Sequence, residues 1–224
     1  MLFLAFKPTT LAHMAIATGI EEISEGVWSW HGFDDATRTE FFSTAVLAED
    51  GLVILDPILS STEALNRLGK ISPVAAIVLT NGNHSRAAAR FRERFSAPVF
   101  AHPDAVGELT SPVDGTLRTH RKVGGSLEVI ELPGAGPGEV ALYQEGAWLH
   151  LGDALIHLED TGLAVLPAKY CMDAPELALS LQTLKGRRFD NASFAHGVPL
   201  RGDAAAKIGA LLSQNAGVDS AVSR

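Results

Sequence analysis

Five polar residues, Asn81, Asn83, His84, Ser85 and Arg86, crowd the segment that follows the apolar run Val74–Leu79 and Thr80. Together they are mainly hydrogen-bond donors, which suits an anion. Arg86 can give a carboxylate or phosphate two parallel bonds, and the free N–H groups of a helix start add more. His84 can also hold a metal or move a proton. Ser85 has two readings, a nucleophile beside His84 and a helix N-cap. Sequence neighbours rarely point at each other and serine is a preferred cap, so the cap is adopted.

These residues need a scaffold. Val74–Leu79 is too short for a helix and too apolar for an exposed strand, so it reads as a buried parallel strand. Arg86–Phe95 reads as a helix with Ala88, Phe91 and Phe95 on one face and Arg90, Arg92 and Arg94 largely on the other, a solvated side. The polar cluster then falls at a strand's carboxyl end and a helix's amino end, where open α/β sheets bind ligands.

Further strands are expected at Gly26–Trp30, Ser43–Ala48, Leu52–Leu55, within Ala97–Asp104, and at Leu127–Leu132, Val140–Tyr143, Trp148–Leu151, Leu163–Leu166 and Ser193–Ala195. Helices are expected at Thr62–Leu68, after the Asp173/Glu176 capping box with Leu177, Leu181 and Leu184 inward, and at Ala204–Leu212. Strands and helices in this order suit a mixed α/β (α+β) chain of two packed sheets with helices outside. Pro133–Gly138 fits no nucleotide fingerprint and reads as a tight turn.

The blocks "GLVILDP" (51–57), "TNGNHSR" (80–86), "PGAGPGEVALY" (133–143), "GDAL" (152–155) and "AHG" (195–197) resemble, in this order, those of the metallo-β-lactamase superfamily. The resemblance covers residues 22–213 and implies a four-layer αββα sandwich. In that family the strand ends in Thr-His-x-His-x-Asp-His, followed by Pro-Gly-His-Thr-Pro-Gly, Gly-Asp and a final His-Gly. Its ligand positions fall here on Asn81, Asn83, Ser85, Arg86, Ala135, Asp153 and His196, so only Asp153 and His196 keep a conventional ligand. Asp56 falls where the family supports the metal loop from the second shell.

A hydrolytic zinc needs about three protein ligands and an open position. Asp153 and His196 are one short, and His84 is the candidate to complete the set. The resemblance therefore implies no cofactor or a single weakly bound zinc. Neutral asparagine oxygens and the Arg86 charge argue against a dinuclear zinc centre. One lactamase subclass keeps a single zinc with Asn first and Arg last, as at Asn81 and Arg86, but it retains the middle His and Asp where this chain has Asn83 and Ser85. Arg86 is expected to replace the metal's charge and pair with Asp153, directly or through a bound anion.

The chain's 224 residues, 46% hydrophobic and 20% charged, suit one globular domain, placed at 21–214 between an N-terminal extension (1–20) and a flexible tail (215–224). The apolar start is cut short by Lys7 and Pro8 and lacks a basic n-region, so it is read as neither membrane span nor signal peptide, and Met14 offers an alternative start. A net charge of −8 argues against nucleic acid as partner. The lone Cys171 excludes an intramolecular disulfide and a Cys-rich zinc module, and fits a cytoplasmic setting. His102 and His120 are expected at the surface, His150 within a strand and His157 lining the cleft.

Two functions remain open. One is a hydrolase of a small ester, thioester, lactone or amide, with His84, Asp153 and His196 as ligands or acid/base groups. The other is a non-catalytic protein that binds a small anionic molecule through Asn81, Asn83, Ser85 and Arg86, or serves as an interaction module. Fold alone does not choose between them.

Overall fold

The computed structural model describes residues 16–35 and 37–218; the expectations for residues 1–15 and 219–224 lie outside the described residues. The described residues open with four antiparallel strands, β1 (Glu21–Ser24), β2 (Val27–Asp34), β3 (Thr39–Ala48) and β4 (Gly51–Leu55). Helix α1 (Thr62–Ile71) and β5 (Val74–Leu79) follow, then α2 (Ala88–Phe95), β6 (Val99–Ala101) and β7 (Gly115–Thr116). Strands β8 (Lys122–Val123), β9 (Leu127–Glu131), β10 (Val140–Gln144) and β11 (Trp148–Leu151) come next. A hairpin of β12 (Leu155–Leu158) and β13 (Gly162–Val165), α3 (Ala174–Ser180), β14 (Asn191–Phe194) and α4 (Ala204–Val218) complete it.

One sheet runs β1-β2-β3-β4-β5-β6-β7 and the other β14-β11-β10-β9-β8. The links from β4 to β7 are parallel, as is β11 with β14. Side-chain alternation decides the layering. Ile54, Ile77 and Leu79 pack outward with α1 and α2, while Val53, Leu55 and Val78 pack inward. On the second sheet Val140, Leu142 and Trp148 meet them, and Ala141, Leu149 and Leu151 pack outward with α3 and α4. This is the expected four-layer αββα sandwich. Strand β4 is buried at all its positions because both faces are covered, each large side chain contributing about 1.5–3 kcal/mol.

Local signals explain the helix ends. Ser61 caps α1 by accepting the Ala64 N–H at 3.1 Å, and the extended Ser72 before Pro73 ends it. Asp173 accepts the Glu176 N–H at 2.9 Å, which is the expected cap of α3. The stripe Leu177, Leu181, Leu184 is buried, but from Leu181 the chain tightens into a 3₁₀ turn.

Four expectations change. Helix α2 starts at Ala88 rather than Arg86, because Arg86 sits at φ +34°, outside the helical region. Ser85 is not its cap: its Oγ accepts the Thr110 N–H at 2.8 Å. Helix α4 runs past the expected Leu212 to Val218. Strands β1, β7, β8 and β12 are too short or too polar to have been expected from periodicity, and pairing alone makes them strands.

Candidate metal and catalytic site

The parallel registers bring the polar ends together. Asp56 follows β4, Thr80–Arg86 follow β5, Asp153 follows β11 and His196 follows β14, all at carboxyl ends. The Phe42 N–H donates to Ala195 O at 3.0 Å, which ties the first sheet to the loop carrying His196. Glycines permit the close approach. A Cβ on Gly152 would lie 2.5 Å from both Glu139 Oε1 and Thr80 Oγ1, and Gly197, at φ +112°, would place one 2.0 Å from His157 O.

Asp56 is wholly buried. Its Oδ1 accepts the Thr80 N–H at 2.8 Å, and its Oδ2 accepts the Thr80 hydroxyl at 2.6 Å and faces His84 Nδ1 at 2.9 Å. The opposite ring nitrogen, His84 Nε2, lies 3.1 Å from Asp153 Oδ1, and His196 Nε2 lies 3.2 Å from the same oxygen. Asp153 and His196 keep 15% and 14% of their side chains exposed, so the cluster opens to solvent on their side.

The electrostatics follow from these contacts. Burial drives the His84 ring down, but the Asp56 and Asp153 carboxylates overcome it and raise its pKa to about 9. Burial is the largest single influence and acts to raise Asp56 and Asp153, but the charge of His84 together with His150 and Arg86 at Asp56, and with His196 at Asp153, outweighs it. Both carboxyls end well below the ordinary carboxylate range. Burial lowers His196 against the pull of Asp153.

The residue types did not single out Glu139, yet it is buried beside Asp153. Its Oε1 accepts the N–H groups of Asp153 (2.8 Å) and Ala154 (3.1 Å), and its Oε2 accepts from Asn81 Nδ2 at 2.6 Å. Burial first, and then the Asp153 charge, push it up to about 8. An isolated acid between a Pro-Gly turn and an apolar strand was the signal. The carboxylates of Asp56 and Asp153 thus face the cations His84 and Arg86.

Arg86 does not form the expected direct pair with Asp153. Its Nη1 donates to Phe42 O (2.9 Å) and Asp56 O (3.3 Å), its Nη2 to Ala195 O (3.4 Å), and its guanidinium lies 4.5 Å from the centre of the Phe41 ring. The left-handed backbone at Arg86 turns the side chain toward the seam between the sheets, where bare carbonyls bind it. Its Nη2 also comes within 3.3 Å of His196 Nε2.

The other expected residues divide. Asn81 Nδ2 reaches Asp153 Oδ2 at 3.0 Å as well as Glu139, and its Oδ1 accepts the Asn83 N–H at 2.8 Å. The Asn83 side chain is exposed. The helix-start amides are already engaged, Ala87 N–H by Pro57 O and Ala88 N–H by Ser85 O. His157 is half-buried and donates from Nδ1 to Val198 O at 2.7 Å. His120 is exposed as expected, but His102 is buried: its Nδ1 accepts the Asp104 N–H and its Nε2 faces Arg118 Nη1 at 2.9 Å. A cleft of about 480 Å³ beside Lys70, Val74 and Arg94 opens at the other end of β5, away from the cluster.

The residues fit one metal ion and not two. Ligand atoms of His84, Asp153 and His196 all lie within 4.8 Å of one another. The 3.1 and 3.2 Å separations are close to the roughly 3.3 Å between ligand atoms placed 2.0–2.1 Å from a tetrahedral zinc. The bond from His84 Nδ1 to a carboxylate, leaving Nε2 forward, is the usual backing of a metal-ligating histidine. Elsewhere the cluster presents donors, the Asn81 amide and the Arg86 guanidinium, which repel a second cation. Arg86 Nη2, 3.3 Å from His196 Nε2, also sets a positive charge beside one ligand atom of the first.

The family model of the metallo-beta-lactamase superfamily matches residues 24–192, and the chain belongs to that superfamily. Its fold is similar to that of a metallo-beta-lactamase from Pontibacter korlensis, at 20% identity and TM-score 0.67, over 87% of this chain and 98% of that one. It is also similar to a metallo-beta-lactamase family protein from Thermus thermophilus, at 18% identity and TM-score 0.63, over 89% and 81%. An archaeal superfamily protein from Sulfolobus tokodaii matches at 15% identity and TM-score 0.59, over 78% and 79%. No curated protein matches the sequence. Among the described residues no helix is long and apolar enough to cross a membrane.

Proposed function

We propose that the chain is a hydrolase of a small ester, thioester, lactone or amide that works with a single, weakly held divalent cation at His84 Nε2, Asp153 Oδ1 and His196 Nε2. The observation that carries this reading is the convergence of both imidazoles on one Asp153 oxygen, with His84 anchored from behind by Asp56. A zinc bound there would polarise a substrate carbonyl and acidify a water molecule. The protein's part is to hold the geometry. Asp56 keeps a proton on His84 Nδ1, so Nε2 is the nitrogen that would give up its proton to a cation, Asn81 holds the second Asp153 oxygen, and Glu139 fixes the Asp153 backbone.

The test is metal analysis of protein purified without chelator, followed by zinc calorimetry and turnover of activated esters, thioesters and lactones. One equivalent of zinc is expected, lost in Asp153→Asn together with the turnover. Absence of zinc binding at neutral pH would remove the reading.

A second reading, a non-catalytic binder of a small anion, is favoured by Arg86 Nη2 at 3.3 Å from His196 Nε2 and by the raised pKa of His84, which gives the cluster a second positive group. It predicts a zinc-free protein whose melting temperature rises with acetate or phosphate.

A further inference from the structure

Behind Asp56 lies a polar line the site does not account for. Trp148 faces the layer between the sheets and Leu149 and Leu151 face α3 and α4, so alternation turns His150 inward. On β14 Ala192 and Phe194 face outward and Ser193 inward. His150 and Ser193 are register partners in the parallel β11–β14 pair, and His150 Nδ1 lies 2.8 Å from Ser193 Oγ. Both are fully buried. His150 Nε2 has no hydrogen-bond partner among the described residues, and it faces Asp56 Oδ2 at 3.6 Å.

Burying such a pair in an apolar layer costs stability unless its polar atoms find partners, and the group that Nε2 faces is the Asp56 carboxylate. The carboxylate decides the tautomer: Asp56 favours a proton on the near nitrogen, Nε2, which leaves Nδ1 to accept the Ser193 hydroxyl. Stacking on Trp148, with ring centroids 5.7 Å apart and planes 23° from parallel, holds the ring in place. The second sheet thereby points an N–H at the oxygen of the first sheet that carries His84 Nδ1.

We propose that His150, backed by Ser193, is a positioning residue: from the inter-sheet core it holds the Asp56 carboxylate against His84 and so sets the ring that presents Nε2 to the cation. This rests on the single-cation reading above for its functional meaning, and on geometry alone for the His150–Asp56–His84 line.

The experiment is zinc calorimetry on wild type, His150→Leu, His150→Gln and Ser193→Ala, with ¹⁵N NMR of the histidine rings in the metal-free proteins. Leucine removes the donor, and glutamine puts an N–H near the position of Nε2. Zinc dissociation constants are expected to rise about tenfold in His150→Leu and to return to within about threefold of wild type in His150→Gln. An affinity within about twofold of wild type in folded His150→Leu overturns the proposal. If His150→Leu does not fold, Ser193→Ala decides: a loss of about threefold or more supports it, and unchanged affinity overturns it. If the wild type binds no zinc, the single-cation reading fails by itself, and the ring spectra decide the positioning role. The His84 Nδ1 proton should then be protected from exchange in wild type and His150→Gln and unprotected in His150→Leu; equal protection in all three overturns the proposal.

Discussion

His84 Nδ1 lies 2.9 Å from Asp56 Oδ2 with the histidine 3% and the aspartate 0% exposed, so a charge pair from two successive strand ends is sealed under the site. Its far nitrogen meets Asp153, and one ring therefore bridges two carboxylates from different sheets.

That bridge makes stability depend on pH. In chelator-treated protein the folded pKa of His84, about 9, exceeds its ordinary value of 6.5. The folded state thus holds a proton the unfolded state releases. The stabilisation is full below about pH 6.5 and is lost as pH rises to 9, a fall of about 3 kcal/mol. Glu139, raised from 4.5 to about 8, adds a fall of the same sign between those values. Urea unfolding at pH 6, 8 and 9 should show both, and His84→Gln should flatten the stretch from 8 to 9. An unchanged slope there would count against the buried pair.

Arg86→Ala should cost about 3 kcal/mol, because it strips donors from the carbonyls of Phe42, Asp56 and Ala195 at the seam. Lysine should not replace it, lacking the planar fork. In double-mutant cycles read by urea unfolding, coupling of Arg86 to Asp56 should exceed coupling to Asp153, since Asp56 is its stronger electrostatic partner. The reverse order would restore the pair expected from residue types.

Zinc at a hundredfold excess over its dissociation constant should raise the unfolding free energy by about 2.7 kcal/mol, and a chelator should reverse this. Calorimetry should stop at one equivalent. Two tightly bound equivalents would contradict the donor-filled second position.

Gly197→Ala should destabilise the protein by roughly 3 kcal/mol or more, since φ is +112° and the new Cβ would meet backbone rather than a yielding side chain. The loss should appear in thermal melts of metal-free protein. A melting temperature within about 1 °C of wild type would show that the His196 loop is laxer than its contacts imply.

Much of the fold was legible because period and punctuation are local. Val74–Leu79 and Trp148–Leu151 appear with the expected bounds, and the Asp173 cap starts α3. Asp56, Asp153 and His196 were placed at one site from ordered blocks, and they meet there. Glu139 was not singled out, because one acid before an apolar strand has no period, and His102 was expected at the surface because a histidine beside a proline carries no burial signal.

The amino-acid sequence by itself determined that Val74–Leu79 is a buried strand and that Asp173 caps α3, and it pointed to Asp153, His196 and a displaced His84 as the candidate ligands of a cation. Tertiary structure decided the partners. Whether Arg86 reaches a carboxylate or a row of carbonyls depends on a left-handed turn at one residue and on where another sheet's loop passes. The His84 charge likewise depends on two carboxylates distant in sequence, Asp56 and Asp153, being buried beside it, since an electrostatic field is set by distance and desolvation rather than by order along the chain.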